Sequence, residues 1–315
     1  MNGQELLNIF ERAYRRVHVV GTKENGVITG LDLEGRFFTV VNDRVISKVN
    51  PSAILARSNK RRFQNPGGDA LWAAPEGTCL GYEYTTENWR VPPSITGAVW
   101  EVVAQSDDEC TIRAEIDLIN NAQTGIPCEF ERHIRIEKNE NGMRQEVMET
   151  IRYIGKKTLN RKSFSLAPWS LCQFDSSETG MVYMPVPPAD EDIWDMYGPS
   201  DKQRGIQGDL YAVRTKTQER FQLALSKNIA WIEYVNEESR YRVKRYARDL
   251  PYGQYHIDIA DAPPDKAPSG RGVSLSVYCD PSGFVEIEAC GGSKDNLEPD
   301  DELSVNVITE IVVSC

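Results

Sequence analysis

Beyond residue 20 the chain repeatedly alternates apolar and polar side chains with a period of two. In residues 111–119, Ile112, Ala114, Ile116 and Leu118 fall on one face, and Arg113, Glu115 and Asp117 on the other. That pattern belongs to an antiparallel strand with one buried side. Similar runs occupy 26–33, 36–46, 52–57, 79–84, 98–104, 129–137, 144–154, 163–172, 219–225, 229–235, 241–248, 254–259, 273–279, 284–289 and 303–313. Turn-forming segments separate many of them, among them Glu34-Gly35, Asn141-Gly142 and Pro281-Ser282-Gly283. The runs 129–137 and 144–154 are expected to pair as a hairpin. Residues 4–16 instead place Leu6, Leu7, Ile9, Phe10 and Ala13 at helical spacing, which predicts one short amphipathic helix. So many strands with almost no helix between them exclude alternating β-α-β units and call for an all-β fold of two large antiparallel sheets.

Two stretches, 59–97 and 185–209, mix Gly, Pro, Trp and charge and do not read as strands. Long irregular segments in compact β-proteins more often serve function than merely connect. A third, 261–272, reads as a surface loop. With no internal repeat and no clean boundary, residues 1–315 are expected to form one domain, with 1–20 as a helical extension.

Composition narrows the partners. Of the 315 residues, 40% are apolar, enough for a substantial core, and the net charge is −11. An acidic chain does not suit nucleic acid or an anionic membrane, both of which need clustered cations. No apolar run reaches the length of a membrane span, and residues 1–20 lack the apolar segment of a signal peptide. Seven cysteines (Cys79, Cys110, Cys128, Cys172, Cys279, Cys290 and Cys315) are widely spaced and odd in number. This argues against a zinc site and for reduced thiols in a cytoplasmic protein.

Several segments, taken in order, carry a resemblance: 67–76 (Gly-Gly-Asp-Ala-Leu-Trp-Ala-Ala-Pro-Glu), 89–93 (Trp-Arg-Val-Pro-Pro), 166–171 (Leu-Ala-Pro-Trp-Ser-Leu), 227–232 (Lys-Asn-Ile-Ala-Trp-Ile), 283–288 (Gly-Phe-Val-Glu-Ile-Glu) and 297–301 (Leu-Glu-Pro-Asp-Asp). Together they resemble bacterial relatives of the aldose 1-epimerases in the galactose-mutarotase-like superfamily. The resemblance implies a β supersandwich with a sugar on a concave face; ring opening is proton transfer alone, so no cofactor is expected, and no metal. It leaves open whether the sugar is converted or only held, and the oligomeric state is not readable.

Strand alternation puts Glu286 and Glu288 on one face, with carboxyls about 7 Å apart along the strand, while Val285 and Ile287 face the other way. Such a pair suits proton transfer, although a solvated strand face shows the same pattern. The resemblance implies a late-strand glutamate as base toward the anomeric hydroxyl, without telling which of the two. It also implies a histidine acid, for which His133 and His256 are the candidates, although neither sits in the family's histidine motif. Trp72, Trp89 and Trp169 are candidate platforms for the C–H face of a pyranose. Trp100 and Trp231 read as core. Asp69, Glu76, Arg90 and Lys227 are candidate hydroxyl-binding residues, with ordinary surface ion pairing as the alternative for Asp69, Glu76 and Arg90. Three readings therefore stand: an aldose 1-epimerase-type isomerase, a non-catalytic sugar-binding protein, and a glycoside-cleaving enzyme using both carboxylates.

Overall fold

The computed structural model describes residues 1–59, 63–82 and 91–314. Among them the strands form two ten-stranded antiparallel sheets and two two-stranded ribbons. The first sheet runs in the order Val17–Gly21, Gly26–Gly30, Arg36–Val41, Asp69–Ala74, Ala167–Asp175, Phe284–Cys290, Leu275–Asp280, Phe221–Leu225, Ile193–Tyr197, with Arg44–Val45 attached to Arg36–Val41. The second is dominated by long central strands, Tyr241–Ala247, Glu302–Val313, Gly142–Tyr153, Gly125–Asn139 and Glu109–Ile119. The expected hairpin is present, closing between Asn139 and Gly142. Ile112, Ala114, Ile116 and Leu118 are all buried, on the side facing the first sheet, and the bulk of the core lies between the sheets.

The helix Gly3–Arg12 is started by a capping box in which Asn2 accepts from the Glu5 amide and Glu5 accepts from the Asn2 amide. Its buried residues Leu6, Ile9 and Phe10 pack on Ile28, Phe38 and Val40 of the first sheet, away from the sandwich interior. Phe10 meets Phe38 edge-on with ring centroids 5.9 Å apart. The helix thus closes one end of the outer face and leaves the rest of that face for other use.

Some local expectations are corrected. Residues 52–57 alternate like a strand, yet Pro51–Leu55 is a helical turn, because Asn50 caps it and Pro51 occupies its first turn. Residues 79–82 form turn and loop, with the remainder of the strand expected at 79–84 outside the described residues. The stretch 185–209 contains the strands Ile193–Tyr197 and Arg204–Gln207. Trp100 is fully buried, whereas Trp231 is only half-buried, with the Lys244 ammonium 3.7 Å from its ring centroid. No helix among the described residues is long and apolar enough to cross a membrane.

Candidate functional site

Register brings the site together. In the first sheet Trp72 lies opposite Trp169, Glu288 opposite Leu171, and Glu286 opposite Gln173. On the other side of the glutamate strand, Ser276 faces Glu288, Tyr278 faces Glu286, and Gln222 is opposite Tyr278. Paired residues share a face and so do alternate ones, so these side chains leave the sheet on the same side, away from the second sheet. Trp72, Trp169, Leu171, Gln222, Tyr278, Glu286 and Glu288 border a cavity of about 320 Å³. Phe63, Glu76, Tyr197, Arg220 and Asp261 are among the other residues of its wall.

The floor is the glutamate pair, Glu286 7% and Glu288 0% exposed. Oε2 of Glu288 accepts from the Trp169 indole at 3.1 Å and from the Gln222 amide at 2.9 Å. Its Oε1 is buried and accepts no hydrogen bond from the described residues. Glu286 accepts one bond, from Gln173 at 2.6 Å. Burial, then the Glu288 charge beside it, push Glu286 well above its ordinary value of 4.5, with Arg36 pulling the other way. Burial also raises Glu288, opposed by the donors of Ser276, Trp169 and Gln222. Two carboxyls so close and so dry favour one shared charge. An indole N–H and an amide N–H can only donate, and Glu288 accepts from two such donors where Glu286 accepts from one, which favours the charge on Glu288 and the proton on Glu286.

The aromatic wall is held in place as firmly. Trp72 and Trp169 meet at 6.1 Å, edge to face at 81°, and Phe63 stands 6.0 Å from Trp72. The Trp72 indole donates to Oε2 of Glu34 at 3.3 Å, and the same carboxylate binds Arg36 at 2.9 Å, whose guanidinium lies 5.4 Å from the Trp72 ring. Glu34 reaches them from a left-handed backbone, φ 59°, in the turn expected at Glu34-Gly35. A side chain on Gly35 would strike Trp100 at 2.6 Å, so the turn requires glycine there. At the opposite end Arg220 sits 4.8 Å over Tyr197 and 3.5 Å from Asp261, and the Tyr278 hydroxyl donates to Asp280 at 2.6 Å.

Of the residues singled out from the sequence, Trp72, Glu76, Trp169, Glu286 and Glu288 border the cavity. Trp72 does so from the strand Asp69–Ala74 rather than from a loop. Asp69 does not reach it: three residues before Trp72, it points between the sheets, where Arg132 and Arg245 bind it at 2.5 and 2.9 Å. His133 stands on the outer side of the second sheet, 43% exposed, bonded to Thr111 at 2.9 Å. His256, in the short strand Tyr255–His256, borders a separate depression, and burial lowers its pKa. Lys227 is exposed and does not line the cavity. Trp89 and Arg90 lie outside the described residues.

Sequence reasoning missed Gln222, Tyr278, Gln173 and Glu34, whose roles appear only once the strand order is known. Tyr197 carried a signal, since it lies in the irregular stretch 185–209. Asp261 lies in the segment read as a plain surface loop, yet it stands at the cavity wall. No group of three or more His, Cys, Asp or Glu side chains among the described residues is placed to hold a metal ion.

The fold is galactose-mutarotase-like. The chain superposes on the Slr1438 protein from Synechocystis sp. PCC 6803 with a TM-score of 0.60 at 11% identity, covering 95% of this chain and 96% of that one. It matches a galactose mutarotase-like protein from Lactobacillus casei ATCC 334 with a TM-score of 0.57 at 11% identity, over 94% and 100% of the two chains. For a galactose mutarotase related enzyme from Lactobacillus acidophilus the values are 0.51 and 12%, over 95% and 100%. Identities this low establish the fold alone. Within it, the chain belongs to the family of unknown function DUF6786, whose model matches residues 7–230. That span includes Trp72, Trp169 and Gln222; the glutamate pair lies beyond it. No curated protein matches the sequence.

Proposed function

We propose that the cavity binds a pyranose and interconverts its anomers by exchanging protons between the sugar and the Glu286–Glu288 pair. The observation that carries this is the pair itself: two buried carboxyls on one strand, bordering a cavity walled by Trp72 and Trp169. The indoles offer edges and faces to the C–H side of a sugar ring, and their N–H groups are already committed to Glu34 and Glu288.

The chemistry needs a base for the anomeric hydroxyl and an acid for the ring oxygen. Both oxygens are bonded to C1, so adjacent carboxyls on one wall can address them together. Carboxylate Glu288 takes the O1 proton as Glu286 gives its proton to O5; the C1–O5 bond breaks and a C1 carbonyl forms. Rotation about C1–C2 presents the other carbonyl face, and closure reverses both transfers, returning the pair to its starting state. The acid is then Glu286, and neither His133 nor His256 is required.

Glycoside cleavage is disfavoured, because it needs carboxyls flanking the scissile bond, and these rise side by side from one strand. Six unpaired cysteines among the described residues, five of them buried, suit a reducing compartment, and the reading is of a cytoplasmic protein.

Polarimetry of freshly dissolved α-glucose or α-galactose tests the proposal. Faster decay with the protein, lost in Glu288→Gln, is expected. Sugars that raise the unfolding midpoint with no turnover would leave a binding protein. Sugars that do neither would end the reading.

A further inference from the structure

We infer that Arg245 is the positioning residue of the cavity, gripping from inside the sandwich the three strands whose outer faces carry Trp72, Trp169 and the glutamate pair. Its guanidinium comes from the second sheet, in the strand Tyr241–Ala247, and its side chain is 1% exposed. Nη2 donates to Oδ2 of Asp69 at 2.9 Å and to Oγ of Ser170 at 2.6 Å; Nη1 donates to the carbonyl of Ile287 at 2.7 Å. Each contact lies next to a cavity residue or on its strand. Asp69 is in the strand of Trp72, Ser170 follows Trp169, and Ile287 separates Glu286 from Glu288.

The network extends to Arg132 and Glu149. Arg132 binds Oδ1 of Asp69 at 2.5 Å and both oxygens of Glu149 at 2.9 and 2.6 Å, while Ser170 donates to Glu149 at 3.0 Å. Two cations and two anions balance, all at most 2% exposed. A buried ionic cluster is a poor source of stability compared with apolar packing of the same volume, whereas it does fix geometry. Geometry is what this site needs, because a one-residue slip of Phe284–Cys290 would turn both carboxyls inward. The guanidinium reaches these acceptors from two separate nitrogens, Nη1 toward Ile287 and Nη2 toward Asp69 and Ser170, whereas a lysine ammonium offers its three donors from a single point, so lysine is a poor replacement for Arg245.

The inference rests on the proposed function for what is positioned, and its test separates the two. The Trp169 indole N–H, bonded to Glu288, is followed by NMR across a pH titration in the full chain without sugar, alongside polarimetry. Arg245→Lys is expected to move that resonance upfield, to change its titration, and to lower turnover about a hundredfold. Should that variant not fold, Asp69→Asn combined with Arg245→Met, which leaves no unbalanced charge, is measured in the same way. A folded variant with the indole resonance and its titration unchanged overturns the inference. A parent protein that turns over no sugar overturns the proposed function instead, and the indole signal still decides the role of Arg245.

Discussion

The indole nitrogen of Trp169 donates to Oε2 of Glu288 at 3.1 Å, joining the aromatic wall of the cavity to its acidic floor. The ring therefore has two separable tasks, packing and charge stabilisation. Trp169→Phe keeps most of the first and removes the second. With one donor fewer, the Glu288 carboxylate is less stabilised and holds its proton to higher pH. The acid limb of the pH–turnover profile is expected to move upward, with sugar affinity changing less than turnover. Polarimetric rates across pH check this.

Neutralising either carboxyl separates chemistry from binding. Glu288→Gln and Glu286→Gln are each expected to lower turnover about a hundred- to ten-thousandfold, the usual range for losing one acid or base. Sugar-induced shifts of the unfolding midpoint should persist. Both variants should also melt higher than the parent, since a buried carboxyl held for function costs stability. Calorimetry with and without sugar tests both points.

The histidines give the opposite expectation. His133→Gln changes an exposed group on the far sheet, and His256→Gln one that does not line the cavity. Turnover should be unchanged in both. A large loss in either variant would return the acid role to histidine.

The glutamates also set a pH dependence of stability. In the unfolded chain both titrate near 4.5; in the folded chain both are raised, Glu286 the more. The folded state therefore binds more protons above 4.5, so the contribution of these groups is complete at acid pH. It is lost as pH rises through the folded-state values. Urea unfolding from pH about 5 to about 8 should show the parent losing stability relative to Glu286→Gln. Asp32, lowered through its hydrogen bonds to Arg16 despite burial, acts in the other direction and is common to both proteins.

The N-terminal helix supplies a stability test remote from the chemistry. Phe10 is fully buried against Phe38, and Phe10→Ala should cost about 3 to 5 kcal/mol in urea unfolding. Turnover per folded molecule should not change.

How much of this was legible in the sequence follows from the range of each signal. Alternation is local, so the strand carrying Glu286 and Glu288 and the shared face of the two carboxyls were readable without a fold. The same local reading failed at Asp69. Beside Gly67-Gly68 it looked like part of a loop, whereas the strand begins at Asp69 and sends it inward. Arg132, Glu149 and Arg245 were invisible for a related reason: a charge in an alternating strand reads as solvent-facing, and only partners from distant strands make it an interior residue. Gln222 and Tyr278 depend on which strands are neighbours, which period-two patterning does not encode. At 52–57 alternation gave the wrong element because the Asn50-Pro51 start signal outweighed it.

Arg245 and Asp69, bonded across the sandwich, are 176 positions apart in the chain, and Trp169 and Glu288 are 119 apart. Contacts this distant must be closed late, at the entropic cost of large loops, and they make for slow folding. The hollow is accordingly a property of the finished assembly: a partly folded chain has strands, helix and turns, yet neither the acidic floor nor the aromatic wall that faces it.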